Sequence, residues 1–124
     1  MNEINEKFVK SIYKTIVEGN IVSYKDMYEE ELDYSKLKKS EMNIYWKKQD
    51  EFYKSLSAEQ KEIIFSMLKV VMVDTISHVF GIIDGSSGLV DFEVEPKLLL
   101  DSVDSEGYLQ DLFLGYIEDE NLLP

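Results

Sequence analysis

Asp74 and His78 form the pair of side chains in this sequence best suited to moving a proton. At about 100° per residue, positions four apart lie roughly 40° from each other on a helix, so the carboxylate and the imidazole can meet on one face. Such a pair makes a carboxylate-oriented histidine, a group for acid or base catalysis. A nucleophilic triad would also need a serine brought in by the fold, because Ser77, the chain neighbour of His78, points to another sector. Met67, Val70 and Val71 share the sector of the pair. The simpler reading is therefore a hydrogen-bonded polar pair, Asp74 with His78, buried in a helical core. Ser77 and Gly81 beside it are small enough to let another helix approach closely.

A second set is acidic. Asp91, Glu93 and Glu95 alternate with Val90, Phe92 and Val94 until Pro96. That alternation predicts a half-buried strand with three carboxylates on one face. Like charges in a row repel one another, and a cationic partner relieves the repulsion. The same row also suits a charged edge strand that resists sheet-to-sheet aggregation. Asp101, Asp104, Glu106 and Asp111 continue the acidic run, and the seven together are the expected partner-binding surface. The Asp84-Gly85-Ser86-Ser87-Gly88 stretch is turn chemistry. It lacks the ligand alternation and closing Glu of a calcium loop, and no P-loop lysine follows it, so neither a metal nor a cofactor is expected. Tyr24, Tyr28, Tyr34, Tyr45, Trp46, Phe52 and Tyr53 crowd the first half, where aromatics serve either as core or as interface anchors.

Composition narrows the chemistry further. The 124 residues include 25 Asp and Glu against 13 basic residues, for a net charge of −12. Every basic residue is Lys, the one His is His78, and Cys is absent. Thiolate catalysis, Cys/His zinc sites and arginine clamps on phosphate are thereby excluded, or need a partner to supply the missing group. Nucleic acid is not an expected partner, because neutralising phosphates needs the opposite charge. The charge is also unevenly placed. Residues 1–69 carry 12 Lys and 13 acids, a net of −1, whereas residues 70–124 carry Lys97 against 12 acids, a net of −11. The start of the chain lacks the basic-then-apolar order of a signal peptide. The apolar stretch from Ile63 to Ile83 is broken by Lys69, Asp74, Ser77 and His78. Both features predict a cytoplasmic protein without a membrane span.

The elements that must position these residues follow from periodicity. Ile4, Phe8, Ile12 and Ile16 predict an amphipathic helix over 3–18, stopped at Gly19. A short helix capped by Ser23 follows through Leu32, and residues 33–40 form a polar connection. Met42, Tyr45, Trp46, Phe52, Tyr53 and Leu56 mark a helix over 41–56 capped by Ser40, with Gln49 inside the apolar stripe. Ser57 and Gln60 form a capping box that opens a helix ending at Asp84-Gly85. This helix is apolar almost all round after Val70, and so is expected to be surrounded. Leu109, Leu112, Phe113, Tyr116 and Ile117 define a last helix, starting about Gly107. The expected fold is a mainly α, single-domain helical bundle spanning 1–124. It has four or five helices around a central helix 58–83, with a short β strand or hairpin near 89–100.

The strings His78-Val-Phe-Gly-Ile-Ile-Asp84-Gly85 and Leu109-Gln-Asp-Leu-Phe-Leu-Gly-Tyr-Ile117 resemble a pattern in small acidic bacterial immunity proteins of polymorphic-toxin systems. The resemblance implies a cytoplasmic inhibitor that binds and occludes a cognate toxin, and it carries over no catalytic residue. The acidic surface then meets a basic protein partner, possibilities otherwise being a small enzyme using Asp74 and His78 or a DNA-mimic inhibitor of a DNA-binding protein.

Overall fold

The computed structural model describes residues 2–30 and 44–123. It is mainly helical, with a two-stranded antiparallel hairpin. The first helical column runs without a break through α1 (Asn2–Ile12), a π-helical stretch (Tyr13–Glu18) and α2 (Gly19–Glu29). The expected stop at Gly19 does not occur, because Gly19 takes ordinary right-handed helical angles, φ −62° and ψ −45°. The buried face also differs from the isoleucine stripe. Asn5, Val9, Tyr13 and Val17 are buried, whereas Ile4 and Ile16 are exposed. Residues four apart drift around a regular α-helix, and the wider i→i+5 turn reduces that drift just where Tyr13 and Val17 enter the core.

Helix α3 (Ile44–Lys54) precedes α4 (Ala58–Asp84). Ser40 and Met42, the expected cap and first stripe residue of α3, lie outside the described residues, as does Tyr34. The capping box that opens α4 forms as its sequence dictates. The Gln60 N–H donates to Ser57 Oγ at 3.1 Å, and the Ser57 N–H donates to Gln60 Oε1 at 2.9 Å. At the other end, Gly85 at φ 85° provides the left-handed residue that stops the helix, and the Ser86 N–H donates to the Gly81 carbonyl at 3.0 Å. Helix α5 (Leu109–Asp119) closes the fold.

The main core lies between the first column, α4 and α5. Val9, Tyr13, Val17, Val73, Phe80, Leu109 and Phe113 are its best-enclosed members. Phe80 meets Phe8 at 6.0 Å and Phe113 at 5.4 Å between ring centroids, and each such buried ring contributes roughly 1.5–3 kcal/mol by leaving water. A second, aromatic cluster joins α2, α3 and α4: Tyr28 stacks on Trp46 at 5.2 Å, and Tyr53 meets Phe65 edge-on at 5.9 Å. Gln49, inside the apolar stripe of α3, is exposed, and its Oε1 accepts from the Tyr28 hydroxyl at 3.1 Å.

Helix α4 is central but not surrounded. It buries Phe65, Val73, Ile76, Ser77, Phe80 and Gly81. Ile63, Met67, Val71 and Val79 are exposed by 53%, 59%, 60% and 49%. Among the described residues it is the one helix long and apolar enough, by length and composition, to cross a membrane, and 28% of its most apolar stretch is buried. An apolar circumference therefore does not translate into a covered one, because a helix is buried only where another element lies against it.

Candidate acidic interface

The seven carboxylates singled out in the sequence all reach the surface, but they are spread over the connection after α4, the hairpin, the turn that follows it and α5. Asp91, Glu93 and Glu95 lie in the connection from Gly85 to Leu98. The strand expected over 90–95 is absent. Leu89 and Phe92 instead pair as an isolated antiparallel bridge, and Asp91 sits between them at φ 56°. The chain turns where the alternation predicted it would run straight, so the three carboxylates do not share a strand face. Asp is among the few non-glycine types that tolerate this left-handed geometry, because its short side chain can bond locally. The turn also leaves Val90 91% exposed and Val94 69% exposed.

The hairpin falls later, with β1 (Leu99–Leu100) paired to β2 (Val103–Asp104). Asp101 and Ser102 connect the strands at φ 50° and 66°, the positive angles that a two-residue type I′ turn requires. Asp104 then accepts the Glu106 N–H at 2.8 Å, so this carboxylate shapes the next turn as well as adding charge. Asp111 stands in the first turn of α5, where the helix dipole favours a negative group.

Two polar anchors, half-buried Asp84 and buried Asn5, fix this acidic region to the helices. Asp84, at the end of α4, caps α5 from outside that helix. Its Oδ1 accepts the Leu109 N–H at 3.1 Å and its Oδ2 the Gln110 N–H at 2.7 Å. Tyr108, next to the helix start, makes no side-chain cap. The absence of Ser, Thr, Asp or Asn at that point was the one sequence signal that a cap had to come from elsewhere. Asn5 of α1 donates from Nδ2 to the Ser105 carbonyl at 2.9 Å, and both residues are buried. The Gln110 side chain lies over Gly81 and donates to the Ser77 carbonyl at 3.1 Å and to Ser77 Oγ at 3.2 Å. A Cβ on Gly81 would stand 3.0 Å from Gln110 Nε2. The small pair Ser77 and Gly81 thus does let a helix approach, and the helix is α5.

Asp74 and His78 have a different setting from the one expected. Both are exposed, so the predicted burial of this pair is corrected. His78 lies about 140° around the helix from Val73, which is fully enclosed, and that rotation carries it away from α5. Met67 and Val71, which share its sector, are exposed for the same reason. Among the described residues no three His, Asp or Glu side chains come together as a metal-holding group.

Electrostatically, the molecule divides as its sequence does. The ion pairs Lys7–Glu3, Lys47–Glu51, Lys54–Asp50 and Lys61–Glu29 all precede Lys69. None of the seven carboxylates after Val90 is in an ion pair with a described lysine. A polar cluster that the sequence reading missed sits at the other end of the bundle. There the Tyr53 hydroxyl donates to Glu29, and Lys61 lies 4.6 Å above the Tyr53 ring. Burial and then the Glu29 bond push the Tyr53 hydroxyl up to about 12, while the bond from Tyr53 is the main cause holding Glu29 below its ordinary value. These residues and Lys25 border an open cleft of about 380 Å³.

Compared with family models, with curated proteins and with solved structures, the chain matches none.

Proposed function

We propose that this protein is an acidic interaction protein that inhibits a basic partner by covering it. The partner in the most specific form of this reading is a cognate toxin, which makes the protein a cytoplasmic immunity protein. The observation that carries the reading is the segregation of unpaired charge. Asp91, Glu93, Glu95, Asp101, Asp104, Glu106 and Asp111 are all exposed, and among the described residues the ion pairs are confined to the chain before Lys69. A surface of one sign raises encounter rates with a partner of the other, and salt weakens the effect. Occlusion then depends on apolar contacts to slow dissociation.

The test is co-purification from native cytosol at low and high salt, followed by identification and rebinding of the purified partner. The reading expects a basic protein that dissociates progressively with salt and whose activity is lost on binding. A partner that is acidic, or whose capture is indifferent to salt, overturns it.

A further inference from the structure

The turn at 89–92 creates a cavity that the strand pattern could not have shown. Ile82 at the end of α4 and the loop residues Leu89, Phe92 and Val94 supply its apolar walls, and Glu93 and Glu95 line it as well. Its volume is about 210 Å³, below the range of about 300–1,000 Å³ usual for cofactor-sized ligands and suited to one large side chain. The apolar walls extend outward. Phe92 is 52% exposed, and Val71, Thr75, His78 and Ile82 fall within a sector of about 60° along α4. An exposed row of mixed character, Val71, Thr75 and His78, thus leads along the helix to half-buried Ile82 and into a cavity with carboxylates in its wall.

We infer that the surface formed by the outward row of α4 and the 85–96 loop receives an amphipathic basic segment of a partner protein, with one large apolar side chain in the cavity and Lys or Arg against Asp91, Glu93 and Glu95. This rests on the proposal that the partner is basic and adds what such a partner must present. Charge complementarity selects this occupant. A second copy docked face to face would set the same carboxylates against one another, and an anionic lipid surface would repel them. A purely polar cation would satisfy the charges but leave the cavity and Phe92 in water.

The test uses two synthetic peptides two heptads long and of equal charge. One is a Leu/Lys peptide with helical amphipathic spacing, and the other a Lys/Ser peptide. Each is titrated into isotopically labelled full-length protein. The expected result is binding of the Leu/Lys peptide at least about tenfold tighter, the gain from burying one leucine-sized side chain, with shifts at Ile82, Leu89, Phe92 and Val94. The double variant Phe92→Ser, Val94→Ser should keep its circular dichroism, since both residues are exposed, and lose that tenfold advantage. Glu93→Gln with Glu95→Gln should weaken both peptides.

Equal binding of the two peptides overturns the apolar seat while leaving a basic partner in place. Shifts confined to other surfaces, concentration-dependent self-association through Phe92, or preferential binding to phosphatidylcholine vesicles each overturn it too. Binding of neither peptide overturns it together with the proposed function.

Discussion

At the scale of single residues, the positions that hold the acidic region in place are not themselves part of its surface charge. Asp84 satisfies two amide groups of α5, Leu109 and Gln110, that Tyr108 next to that helix start does not cap. Asp84→Ala should therefore lower stability by about 1–2 kcal/mol, the usual cost of losing a helix cap, measured by urea unfolding. Asn5→Leu leaves the buried Ser105 carbonyl without its donor and should cost about 1–3 kcal/mol in the same measurement. Tyr53 makes a prediction about pH. Its folded value is raised to about 12 from an ordinary 10.0, so its contribution is complete below pH 10 and is lost as pH rises toward 12. Glu29 is lowered, so its contribution is present above its ordinary value and fades as pH falls through the lowered one. Tyr53→Phe should flatten the fall in stability between pH 10 and 12, and unchanged alkaline melting curves would contradict the assignment.

At the scale of elements, α4 has two unlike faces. One packs Val73, Ile76 and Phe80 against the first column and α5, and the other leaves Met67 and Val71 in water. Phe80→Ala should cost about 3–5 kcal/mol, as expected for removing a ring from a closed core. Met67→Lys and Val71→Lys should each change stability by no more than about 0.5 kcal/mol, because both residues are already more than half exposed. The capping box, the Gly85 stop and the apolar stripe of α5 were legible in the sequence, since each depends on residues within a few positions of one another. The strand over 90–95 was not there. Alternation promotes a strand only when a neighbouring strand accepts its hydrogen bonds, and among the described residues Leu89 pairs back to Phe92 instead. The continuous first column was also hidden, because one Gly is a weak stop when the turns on both sides are already helical.

At the scale of the whole molecule, the charge partition gives salt two opposing effects. With the acids after Val90 in no ion pair among the described residues and mutually repelling, added salt should stabilise the free protein modestly by screening. The same salt should accelerate dissociation of a basic partner, or reduce its association rate. Thermal unfolding and binding kinetics over one salt series should thus move in opposite directions. A complex strengthened by salt would place its energy in apolar contacts alone.

The sequence by itself determined the helical class, the ends of α4, the apolar stripe of α5 and the excess of negative charge beyond Lys69. These depend on local spacing, short-range capping and composition, which are properties of the chain whatever its tertiary packing. Only the tertiary structure decided which side of α4 is covered, that Asp74 and His78 stand in solvent, and that Ser77 and Gly81 receive Gln110. It also decided that Asp84 caps a helix starting 25 residues later. The physical reason is that burial is a relation between two elements. Periodicity can mark a face as apolar, but only a neighbour in space can take that face out of water.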